Sequence, residues 1–83
     1  MKLTSKKQIK NFLNDGYDIM IIPYSEKVLN YSSSVFWKTD GKIYSWNRHM
    51  GRIERTDKTE EEIIEHISKF MCDDNYIVNA AGY

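Results

Sequence analysis

Val35-Phe36-Trp37-Lys38-Thr39-Asp40-Gly41-Lys42-Ile43-Tyr44-Ser45-Trp46 is the stretch on which the fold turns. Asp-Gly between two alternating apolar runs is a strong hairpin signal, because a type I′ turn needs positive φ at both central residues. A two-residue turn sets the pairing. Thr39 opposes Lys42, Trp37 opposes Tyr44 and Val35 opposes Trp46 on one face, while Phe36 opposes Ser45 and Lys38 opposes Ile43 on the other. The larger aromatic content of the first face marks it as the core. Phe36 and Ile43 are then left on an outer face.

Around this hairpin the chain divides cleanly. Met50-Gly51 reads as a second turn leading into a third strand, Arg52 to Thr56. Thr59-Glu60-Glu61-Glu62 starts a helix: Thr59 caps it, Glu62 completes a capping box, and three acids face the positive end of the helix dipole. Ile63, Ile64, Ile67, Phe70 and Met71 make its apolar stripe, and Cys72 to Asn75 end it. Tyr76-Ile77-Val78 is a short closing strand, and Asn79 to Tyr83 read as frayed.

Toward the N-terminus, Ser5-x-x-Gln8 is a second capping box. Ile9, Phe12 and Leu13 line one helical face, and Gly16 is the stop. Asp18 to Ile22, with four consecutive apolar residues, reads as an interior strand that Pro23 ends. Ser25 to Ser33 is an irregular connection with enough apolar content to pack. The expected architecture is one α+β domain over residues 1–83. A three- or four-stranded antiparallel sheet carries an N-terminal and a C-terminal helix on one side.

Eighty-three residues bury roughly 60% of their unfolded surface, enough for one modest core. Twelve basic and twelve acidic residues cancel, so no global field favours nucleic acid. The cancellation is uneven. Residues 1–42 hold seven lysines against four acids, and the remainder holds five bases against eight. The single cysteine, Cys72, has no internal disulfide partner and suits a reducing cytoplasm. No secretory h-region is visible, and the longest apolar run, Ile19 to Ile22, is far short of the ~20 residues that span a membrane.

Catalytic and metal chemistry are not expected, and no cofactor is. Cys72, at a helix C-terminus where the dipole disfavours a thiolate, reads as a semi-buried thiol. Glu62 and His66 are four apart on one helical face and read as a surface ion pair rather than two metal ligands. The four glycines are isolated, so no phosphate loop exists.

Two binding readings remain. Phe36, Arg48, Met50, Arg52 and Arg55, on the outer sheet face and the second turn, have the composition of a protein-binding hot spot. The alternative is a nucleic-acid surface in which Arg48, Arg52, Arg55 and Lys58 follow phosphates while nearby Tyr44 and Trp46 stack on bases. A second copy of the chain, or the connection after Pro23, could also cover the outer face.

The order helix, three strands, helix resembles that of double-stranded RNA-binding domains, whose recognition rests partly on lysines opening the last helix. Here Glu60, Glu61 and Glu62 occupy those positions and would repel phosphate, so that resemblance is one of topology. Ser34 to Phe70 is similar in pattern to DNA-binding domains that read the major groove with a sheet. That comparison implies Trp37, Trp46, Arg48, Arg52 and Arg55 as sheet residues. Length and a Lys/Asn/Ile-rich composition also resemble small phage-encoded inhibitors, some anti-CRISPR proteins among them. That resemblance implies a regulator acting by steric occlusion of a protein partner.

Overall fold

The computed structural model describes residues 1–23, 33–48 and 50–81. The connection expected at Ser25 to Ser33 therefore lies, apart from Ser33, outside the described residues, as does His49. The chain order is α1 (Lys6–Asn14), β1 (Ile19–Pro23), β2 (Ser34–Thr39), β3 (Lys42–Asn47), β4 (Ile53–Arg55), α2 (Glu60–Met71) and β5 (Tyr76–Ala80). The sheet has five strands in the order β4-β3-β2-β1-β5, and every neighbouring pair is antiparallel.

Local signals act where the sequence places them. Asp40 and Gly41 take φ of 53° and 75°, and all five cross-strand pairs read from the Asp-Gly turn are formed. Ser5 accepts the Gln8 N–H at 3.2 Å, although the Gln8 side chain reaches back to the Thr4 N–H at 2.7 Å rather than to Ser5 itself. Gly16, at φ 88°, ends α1 in a Schellman motif: its N–H donates to Leu13 O, and the Tyr17 N–H donates to Phe12 O at 3.0 Å. The accompanying apolar contact is an edge-to-face pair of Phe12 and Tyr17, with ring centroids 5.4 Å apart. Thr59 and Glu62 complete the capping box of α2 at 3.2 and 3.1 Å.

Both helices lie on one face of the sheet. Ile9 and Leu13 of α1 and Ile63, Ile64 and Ile67 of α2 pack on Ile19 and Ile21 of β1, Phe36 of β2, Ile43 of β3 and Val78 and Ala80 of β5. β1 is interior, as its apolar run implies. Asn79 and Ala80, expected to fray, are instead inside β5, which pairs with β1 from Ile19↔Ala80 to Pro23↔Tyr76. The far edge of β5 is closed by the N-terminus. Leu3 N–H donates to Val78 O at 2.8 Å, Ala80 N–H donates to Met1 O at 2.9 Å, and Lys2 bridges to Asn79.

The hairpin faces the opposite way from the expectation. Phe36 and Ile43 are buried against the helices, and Val35, Trp37, Tyr44 and Trp46 lie on the other side. Volume explains the inversion. Long side chains from two helices fill the space above the sheet, so at native packing density the floor beneath them must be low. Ser34, Ser45 and Ala80 supply that low floor around Phe36. Two indoles there would overfill it and would need partners for their N–H groups.

Candidate binding surface

Cross-strand registers place the outer face in rows. Ile53, Trp46, Val35, Met20 and Asn79 form one row across all five strands. Arg55, Tyr44 and Trp37 form the next. Neither helix covers either row. Trp37 and Tyr44 lie nearly parallel, with centroids 6.0 Å apart and planes at 18°. A shallow depression of about 370 Å³ is lined by Asp18, Val35, Trp37, Trp46 and Ile53. Ile53 is 64% exposed and Met50, at the second turn, 53%.

The residues singled out from sequence separate into three groups. Phe36 is 8% exposed and belongs to the core, so it is no partner contact. Arg48 and Arg55 are exposed and, by strand alternation, flank the outer face; Met50 is exposed at the turn between them. Arg52 instead turns to Glu54 on the helix side, with Nη2 2.8 Å from Oε1. Lys58, also on that side, helps line a cleft with Phe36, Ser45, Glu54, Ile63 and His66. The four bases of the nucleic-acid reading are therefore divided between two faces and do not form one stripe.

Val35 and Ile53 were missed as outer-face residues, and Trp37, Tyr44 and Trp46 were placed outward only in the nucleic-acid readings, because hairpin parity gives pairing without saying which side is in. The available signal was chemical: small Ser34 and Ser45 flank Phe36, whereas both indoles share the opposite face.

The helix-side cleft opens where β3 and β4 extend beyond α2. His66 stands there between Phe36 and Phe70, with centroids 6.0 and 5.4 Å away. The expected Glu62–His66 ion pair is not formed, because Glu62 is turned to the Thr59 backbone. Cys72 is exposed rather than semi-buried. Burial, then the charges of Lys58 and Lys69, hold His66 below its ordinary pKa of 6.5. At the other end of α2, Lys38 Nζ reaches Glu60 at 2.8 Å and Asn14 at 2.6 Å, tying β2 to both helices. The Lys38 hydrogen bond holds the Glu60 carboxyl below 4.5.

Both groups release a proton more readily folded than unfolded, so their stabilisation is present above the unfolded pKa and is lost on acidification. Thermal melts should show the midpoint falling below about pH 6.5 as His66 protonates, and falling again below about pH 4.5, to which Glu60 contributes. His66→Phe should remove the first fall and leave the second. A first fall that persists in His66→Phe would assign it to other groups.

Among the described residues, no three His, Cys, Asp or Glu side chains group to hold a metal, and no helix is long and apolar enough to cross a membrane. Comparison of the chain with protein-family models, with curated proteins and with solved structures found no match in any of the three.

Proposed function

We propose that this chain is a non-enzymatic protein-binding module that occludes a partner's surface with the outer face of its sheet. The observation that carries the reading is a helix-free face across five strands bearing Trp37, Tyr44, Trp46 and Ile53. Tryptophan, tyrosine and arginine are the residues that dominate binding energy when a partner desolvates them. Arg48, Met50 and Arg55 give that patch a polar, adaptable rim. The exposed thiol of Cys72 suits a reducing compartment such as cytoplasm. In its sharpest form the module is an inhibitor or regulator of the kind that phages and mobile elements encode.

One observation favours nucleic acid as the second reading. The near-parallel Trp37–Tyr44 pair with Arg55 beside Tyr44 has the composition of a base-stacking platform. Asp18 at the margin of that patch opposes phosphate, and Arg52 and Lys58 are too far round the molecule to help.

Affinity capture from a lysate, with and without nuclease, separates the two. A discrete protein should survive nuclease and moderate salt, and Trp46→Ala should weaken its capture by about thirtyfold, the equivalent of ~2 kcal/mol at a hot spot. Capture that disappears with nuclease, or falls steeply with salt, would transfer the face to nucleic acid.

A further inference from the structure

The two edges of the sheet differ. The β5 edge is paired with residues 1–3, as described above. The β4 edge is open among the described residues, and its polarity can be read from one hydrogen bond. Thr56 N–H donates to Ile43 O at 3.0 Å, which continues the β3–β4 ladder. In an antiparallel ladder, alternate residues turn their backbone groups to the neighbour and away from it. Glu54, two residues before Thr56, therefore bonds inward to Ser45. Ile53 and Arg55 turn their N–H and C=O groups outward. Among the described residues, nothing donates to or accepts from those four groups. The side chains of Ile53 and Arg55 meanwhile lie on the outer face, beside Trp46 and Tyr44.

We propose that β4 is a docking edge at which an extended, acidic segment of a protein partner adds as a sixth strand. The inference rests on the protein-binding reading and specifies how the partner engages. Three features select this occupant. The edge offers donors and acceptors in alternation, and another peptide backbone satisfies both. Phosphate oxygens only accept, so a nucleic-acid backbone would leave the Ile53 and Arg55 carbonyls unmet. Of the four bases between Arg48 and Lys58, Arg52 is paired with Glu54, which leaves Arg48 and Arg55 on the outer side of this edge and Lys58 on its helix side against Asp57 alone. An acidic strand complements that surplus. A second copy of this chain would set the same surplus against itself. β4 is short, so strand addition supplies only a few hydrogen bonds, and alternate partner side chains must extend the apolar face at Ile53.

The test is amide hydrogen exchange by NMR on the full chain. The probe is a blocked nine-residue peptide alternating glutamate with valine, and its control replaces each glutamate with lysine. The acidic peptide should slow exchange of the Ile53 and Arg55 amides at least tenfold, and the lysine peptide should not. Ile53→Pro deletes an outward N–H without touching the β3–β4 ladder, since Pro is tolerated at such edge positions. It should weaken acidic-peptide binding about tenfold while the Thr56 amide stays protected. Unchanged exchange at Ile53 and Arg55 with the acidic peptide would overturn the proposal, as would equal protection by both peptides. Protection that rises with the chain's own concentration, without peptide, would also overturn it and assign the edge to self-pairing. Indole signals of Trp37 and Trp46 that shift while both amides exchange freely would overturn edge pairing alone and leave the binding face standing.

Discussion

Phe36→Ala should lower the unfolding free energy by about 4 kcal/mol, whereas Trp46→Ala should lower it by only about 1 kcal/mol. The residues neighbour one another on paired strands, and both are large aromatics. What separates them is the side of the sheet. Phe36 is 8% exposed and packs among Ile19, Ile43 and Ile63 under α2. Its removal deletes a buried ring and leaves a cavity that two helices and a sheet cannot collapse around. Trp46 is half-buried with no helix above it, so its truncation removes cross-strand contacts with Val35 and Ile53 rather than a ring from the core. Urea unfolding of the two variants measures the difference. Should Phe36→Ala leave too little folded protein, Phe36→Leu provides a milder version of the same contrast. Equal losses from Phe36 and Trp46 would mean that both faces are buried.

The second large effect is expected at Ile67→Ala, at about 3 kcal/mol. Ile67 is fully buried in the middle of α2, on the stripe that seats this helix on the sheet. α2 has strong local support from its capping box and three first-turn acids, but these secure its first turn only. Its attachment depends on Ile63, Ile64 and Ile67. For a domain of this size the loss is a large part of a total stability of about 5 kcal/mol. The midpoint of urea unfolding should fall sharply with little change in slope. A loss below about 1 kcal/mol would show that α2 is held by its ends rather than by its apolar stripe.

How far the chain could be read in advance follows from which signals are local. The Asp40-Gly41 turn, the Gly16 stop and the Thr59 cap act within a few residues, and each appears where its chemistry puts it. Pairing within the hairpin was legible for the same reason. The side on which the helices settle is a tertiary property. Both faces of β2 and β3 carry large apolar groups, so alternation alone could not choose between Phe36 with Ile43 and Trp37 with Trp46. The choice depends on bulk arriving from Ile9, Leu13, Ile63 and Ile67, which are distant in sequence. The reversal moves Phe36 out of the protein-binding surface and puts both indoles in its place. Arg48, Met50 and Arg55 stayed exposed because turn and edge positions are exposed whichever way the sheet faces. β5 runs longer than its apolar core because Asn79 and Ala80 are fastened by β1 on one side and by the N-terminus on the other.

Only two tryptophans occur in the chain, Trp37 and Trp46, and both lie on the outer face. Fluorine NMR of protein labelled with 5-fluorotryptophan therefore reads that face alone. Without partner, both signals should shift between H2O and D2O; with the captured partner added, both should move and lose that solvent sensitivity. A partner that binds while neither fluorine signal changes would contradict the assignment of the outer sheet face as the binding surface.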